Sequence, residues 1–380
     1  MEDKKPHILI ISTSPLSYTE TFIKAHVELL DGKIFNIYGW GLDYNNSDGI
    51  SLRDLYSVKT YRKWFSLLPH FLFFRMQQES SKKNTNEMLI KRYLKDNKIG
   101  VVLAEYGMTG SFITPICREV QIPLIVHFHG IDASSYEILE RFKEGYQNMF
   151  DYATWVIGVS KRMVNDIVKM GCPKKKVVYN LYGPNRDFCD VRPNYQSNNI
   201  IAVGHQNFKK APYLTILAFH QVLKKHPNLK LHFAGGGELL EVSMNTALAL
   251  GIENQVIFHG KLQRSEVLEL IKKSFLFVQH SIIAMDGNSE GTPVAILESM
   301  MAGLPVVSTI HAGIPDVVLN NETGILVNEK DVDAMAEAIT KIVEDRALAE
   351  KMGQAGRQRA LARFEIEQHI QKLNQLIKEI

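Results

Sequence analysis

Glu290 and Glu298 stand eight residues apart in NSEGTPVAILESMMAGLPVVSTIHAGIPDVV, residues 288–318. Between them lie Gly291, Thr292 and Pro293, and a helical run is expected from about Val294. Glycine lets backbone approach a ligand closely, and Pro293 suits a helix's first turn. A loop feeding a helix in this way aims free N–H groups at one spot, which favours an anion. Carboxylates beside that spot suit hydroxyls. Hydroxyl and phosphate recognition together fit a sugar nucleotide. The same residues would also serve as an ordinary loop and helix of an α/β domain.

Other residue sets bear on this chemistry. His127 and His129 stand two apart, so a strand would place both on one side. A metal pair with Asp132 is one alternative, with no further spaced ligand evident, and a structural histidine is another. GHQNFKK, residues 204–210, follows an apolar run and carries His205 and Lys210. Gly235-Gly236-Gly237 follows another, and a glycine run after a strand lets backbone meet a ligand.

EGTPVAILES, followed by GLPVVST and HAGIPDVV, resembles the retaining glycosyltransferases of family four. HFHGID resembles that family's HG-x-D element, and GHQNFKK its G-R-x-x-x-x-K element. PLSYTETFI resembles the P-x-SETFI opening of its exopolysaccharide and lipopolysaccharide branch, with Tyr18 as an extra residue. The resemblance covers nearly all of the second half and scattered points of the first. It implies a GT-B fold: two Rossmann-like α/β domains facing across a cleft, with a C-terminal helix crossing back. The implied activity is sugar transfer from a UDP- or GDP-linked donor to a hydroxyl, with retention and without metal or other cofactor. The acceptor would be a lipid-linked or polysaccharide glycan. His129, Lys210 and Glu290 occupy catalytic positions. Gly204, His205, Lys210, Gly236, Lys261, Leu262, Glu290, Gly291, Thr292, Pro293, Val294 and Glu298 fall on the donor side. Ser14, Glu20 and Asp132 fall on the acceptor side. His205 stands where arginine is usual, and only a protonated histidine could replace that charge, without the bidentate fork. A nucleotide-sugar epimerase on a similar fold and an inactive nucleotide-sugar-binding homologue are the alternatives.

The elements that must position these groups follow from pattern. Strands are expected at His7–Ser12, Ile99–Glu105, Pro123–His127, Thr154–Val159, Val177–Tyr179, Ile200–Val203, Lys230–Ala234, Val256–His259 and Phe275–Gln279, and a buried strand within GLPVVST, residues 303–309. Helical patterns alternate with them, as in a doubly wound sheet. Domains are expected at 1–192 and 193–362, with a closing amphipathic helix in 363–380. Asp190–Asn199 reads as the linker between them.

The 380 residues carry 45% hydrophobic and 22% charged side chains, the composition of a two-domain globular chain. A net charge of +3 argues against nucleic acid as the main partner. Cys117, Cys172 and Cys189 show no metal or disulfide spacing, which fits a reduced, cytoplasmic compartment. No apolar run reaches the ~18 residues of a spanning helix. Residues 59–95 differ, with nine Lys or Arg against two Glu, a charge of +7, around WFSLLPHFLFF. This composition suits a peripheral membrane contact or a core helix with a solvated basic flank.

Overall fold

The computed structural model describes residues 5–15, 21–40, 43–56, 85–184 and 186–380. Two α/β sheets organise them. The first has seven strands: β1 (His7–Ser12), β2 (Lys33–Trp40), β3 (Asp43–Asn46), β4 (Val101–Glu105), β5 (Leu124–Phe128), β6 (Trp155–Gly158) and β7 (Val177–Tyr179). Their order is β3-β2-β1-β4-β5-β6-β7, parallel except for β3. The second has β8 (Asn199–Val203), β9 (Lys230–Ala234), β10 (Val256–Phe258), β11 (Leu276–Gln279), β12 (Val306–Thr309) and β13 (Gly324–Val327). Their order is β10-β9-β8-β11-β12-β13, all parallel.

Central parallel strands are apolar because helices cover both faces. In β1, Leu9 and Ile11 face one core cluster while Ile8 and Ile10 face another, the period-2 alternation of a strand. The second of these faces is closed by the helix Ile366–Lys378. Its Ile366, Ile370, Leu373, Leu376 and Ile377 pack with Ile8, Ile10 and Ile23, from the opposite end of the sequence. In the second sheet, Ile200 and Ala202 of β8 face one cluster and Ile201 the other.

Each sheet reverses its strand order once, between β1 and β4 and between β8 and β11. Ligands of doubly wound sheets sit outside the carboxyl ends at such points. β2, β3 and β13 escape the sequence reading, since KIFNIYGW mixes polar and apolar residues and GILV is short. The stretch read as a linker is largely anchored. Arg186–Asp190 forms a 3-10 helix, Phe188 and Val191 lie in the second domain's apolar cluster, and Tyr195 donates to the Gly303 carbonyl at 2.6 Å. The second core therefore claims residues before 193.

Candidate functional site

Glu290 lies at the centre of the second domain's edge. The loop after β8 brings Lys210, whose Nζ lies 2.8 Å from Glu290 Oε1 and 3.4 Å from Gln279 Oε1 at the end of β11. Lys209 approaches the other carboxylate oxygen at 3.6 Å. Burial alone would raise the Glu290 pKa, but the two lysines overcome it and hold the carboxyl down at about 2. The Glu290 N–H donates to His311 Nε2 at 3.1 Å, so His311 Nδ1 donates to Glu329, at 2.6 Å. Sequence reasoning found Lys210 and Glu290. It missed Lys209, His311, Gln279 and Glu329. Adjacent lysines at 209–210 were the available signal for the first.

The loops after β8, β9 and β10 are laced by backbone. Gly204 N donates to Ala234 O at 2.9 Å, Gln206 N to Gly236 O at 2.8 Å, and Gly235 N to Gly260 O at 2.8 Å. Gly235 has φ +142°, and a Cβ there would meet Gly204 O at 2.1 Å, so only glycine fits. Around Gly236 nothing lies within 4 Å of an added Cβ, which leaves its backbone open to a ligand. Lys261 is exposed and Leu262 half-buried, directly after Gly260. His205 is exposed, and its Nε2 pairs with Glu238 at 2.9 Å. That carboxylate offsets any charge the imidazole carries toward an anion.

Pro293 is the N-cap of the helix Val294–Ala302, one position before the expected first turn. Glu298, on that helix, has Arg264 at 3.9 Å. Burial pushes its carboxyl up to about 7 although Arg264 pulls it down.

This lip meets the first domain. Thr292 Oγ1 donates to Val159 O at 2.8 Å, Ser289 N to Ser134 Oγ at 3.0 Å, and Lys161 N to Asp316 Oδ2 at 2.8 Å. A Cβ on Gly291 would lie 2.2 Å from the His129 carbonyl oxygen. The HG turn and the EGT turn therefore approach backbone to backbone.

His129 follows β5 and is buried, with both ring nitrogens engaged. Nε2 lies 2.8 Å from Glu105 Oε2, and Nδ1 contacts the Tyr182 hydroxyl. Its ring stacks on Phe22 at 4.4 Å. Asp132 is fully buried. Instead of facing an acceptor, its carboxylate accepts from the backbone N–H of Gly107, His129 and Gly130 at 2.8–3.0 Å. Asp132 thus shapes the HG turn and does not join the histidines as a metal group. His26, Glu105 and His127 can do so, with ligand atoms all within 4.8 Å of one another. Neither His26 nor Glu105 stood out in the sequence. Ser14 is half-exposed beyond β1, its carbonyl bonded by Ser12 Oγ. Glu20 and the apolar stretch Trp64–Phe74 lie outside the described residues. In 85–95, Leu89, Ile90, Tyr93 and Leu94 fill the first core.

Residues 187–359 match the model of the glycosyl transferases group 1 family. The chain is 29% identical over 277 residues to the amylovoran biosynthesis glycosyltransferase AmsK of Erwinia amylovora, covering 71% of this chain and 67% of that protein. It is 29% identical over 245 residues to the putative colanic acid biosynthesis glycosyltransferase WcaL of Escherichia coli K12, covering 63% and 60%. Anabaena Alr3699/HepE, solved in complex with UDP, superposes over 98% of this chain and 100% of its own with TM-score 0.74 at 15% identity.

Proposed function

We propose that this chain, which has the GT-B fold, is a group 1 glycosyl transferase that moves a sugar from a nucleoside-diphosphate donor to a hydroxyl of a surface-polysaccharide precursor. The observation that carries this reading is the Lys209–Lys210–Glu290 group at the second sheet's switch point, facing the first domain's HG turn. As the sugar–phosphate bond breaks, negative charge grows on the diphosphate. A lysine already in place stabilises it without reorganisation. Glu290, held ionised by both lysines, is an acceptor for sugar hydroxyls. Glu298 reaches the ribose, and the backbone at Gly236 and Lys261–Leu262 meets the rest of the nucleotide.

The reaction proceeds with retention and without a metal ion or other cofactor, the lysines and loop N–H groups supplying the positive field. The enzyme works in the cytoplasm at the membrane's inner face. Among the described residues no helix is long and apolar enough to cross a membrane. The +7 composition of 59–95 around its aromatic run supports an interfacial contact, since each nearby Lys or Arg adds about 1 kcal/mol at an anionic surface.

The test is a thermal-shift panel of UDP, GDP and ADP sugars, followed by transfer assays with the stabilising donor. Acceptor-dependent transfer with the donor's anomeric configuration kept, in excess chelator, is the expected result. Conversion of the donor alone would replace the reading with an epimerase, and binding without turnover with an inactive homologue. Flotation with anionic vesicles should recover the protein in a salt-sensitive way, and equal recovery with neutral vesicles removes the membrane contact.

A further inference from the structure

Four imidazoles and one carboxylate are buried together beneath the HG turn. Glu105 ends β4, His127 lies in β5 and His129 follows it, His26 lies on the helix Thr21–Leu29, and His369 on the helix Ile366–Lys378. His26 Nδ1 lies 2.6 Å from Glu105 Oε1, and His26 Nε2 lies 2.7 Å from His369 Nε2. His369 Nδ1 lies 2.9 Å from the Leu181 carbonyl.

The proton inventory of this chain of contacts is determined. A carbonyl only accepts, so His369 Nδ1 carries a proton. A carboxylate only accepts, so His26 Nδ1 carries one too. A third proton must lie between the two Nε2 atoms, which makes one ring doubly protonated. Burial and the neighbouring His26 and His127 hold the pKa of His369 well below the ordinary value. Burial opposes ionisation of Glu105, but His26, His127 and His129 overcome it and keep its carboxyl low. The other carboxylate oxygen then accepts from His129 Nε2–H, and His129 Nδ1 is left as an acceptor, occupied by the Tyr182 hydroxyl.

We infer that Glu105 is the positioning residue of His129: its Oε2, 2.8 Å from Nε2, accepts from that N–H and fixes the imidazole in the Nε2–H tautomer, which leaves Nδ1 as the acceptor that the Tyr182 hydroxyl meets. The assignment rests on the transferase reading only in that His129 borders the reacting sugar. A sugar hydroxyl can then displace the Tyr182 hydroxyl at Nδ1. The titratable groups facing Glu105 are His26, His127 and His129, and those facing His26 are Glu105, His127 and His369. A cation shared by His26, Glu105 and His127 is the competing occupant, and both ring nitrogens of His127 lack hydrogen-bond partners. The 2.6 Å contact favours a proton, because a tetrahedral ion with bonds near ~2.0–2.1 Å keeps its ligands roughly 3.3 Å apart.

Nitrogen NMR of the ring ¹⁵N nuclei in the full chain decides the inventory. His26→Gln and His369→Gln assign the signals. His129 in the Nε2–H form, its Nδ1 unprotonated, is expected. His129 in the Nδ1–H form, or a stoichiometric metal whose chelation shifts these signals, overturns it. The kinetic arm uses Glu105→Gln, whose amide accepts at one end only, so His26 or His129 must give up an N–H. Its kcat should fall about ten- to a hundredfold, the range for removing an orienting partner of a working histidine, with donor KM nearly unchanged. If Glu105→Gln does not fold, His369→Gln breaks the same chain from its far end and should lower kcat likewise. Wild-type kcat in a folded variant overturns the positioning role. A chain that transfers no sugar fails the transferase reading, while the NMR result still stands.

Discussion

Lys210 and Glu290 are partners before any substrate arrives, so each holds the other in place and Lys210 helps keep Glu290 ionised. Lys210→Ala should remove charge stabilisation realised in the transition state and lower turnover by about 10²–10³. Retention of more than about a third of wild-type kcat would exclude the role. Glu298 makes a different prediction. Its folded pKa, about 7, lies above its ordinary value of 4.5. The folded state therefore holds a proton that the unfolded chain has lost, and the stability this contributes declines as pH rises from about 4.5 to 7. A ribose needs the ionised form as acceptor. Nucleotide affinity should weaken as pH falls below about 7, with proton uptake by the released protein, and Glu298→Gln should flatten the dependence. Calorimetric titration with UDP in buffers of differing ionisation enthalpy reads both. At this scale the grouping of Glu290, Gly291, Thr292 and Glu298 was legible, because they lie within one short stretch. The His26–Glu105 and His26–His369 contacts were not, since they join residues 79 and 343 positions apart.

The EGT loop and the helix Val294–Ala302 carry the site's geometry. Gly291→Ala would place a Cβ 2.2 Å from the His129 carbonyl and 2.6 Å from Val159 Cγ2, so the two turns must separate. A loss of about 1–3 kcal/mol in stability is expected, read as a lower melting temperature, together with loss of transfer. Gly236→Ala meets no atom within 4 Å and should melt like the wild type while raising the donor KM. Equal behaviour of the two variants would contradict the division between packing glycine and ligand-facing glycine. The strands of this framework were readable from runs such as ILIIS and VVLAE, buried on both faces. The edge strand β3, DYNN, has no apolar pattern, and only its antiparallel pairing with β2 makes it a strand.

The two sheets are joined by the cleft contacts and by the C-terminal helix, which brings five apolar residues and His369 to the first domain. Truncation after Phe364 should expose Ile8, Ile10, Val101 and Leu103, and give an aggregating or protease-sensitive first domain. Limited proteolysis of the truncated and full chains compares them directly. This closure also sets an order in time. Chains commonly finish their N-terminal domain first as they leave the ribosome. Here the face of β1 and β4 stays uncovered until the helix Ile366–Lys378 has been made, and the buried His26 gains its His369 partner only then. The first domain to be synthesised is thus the last to be completed, and chains stalled before residue 366 should depend on a holding chaperone that full-length chains do not need.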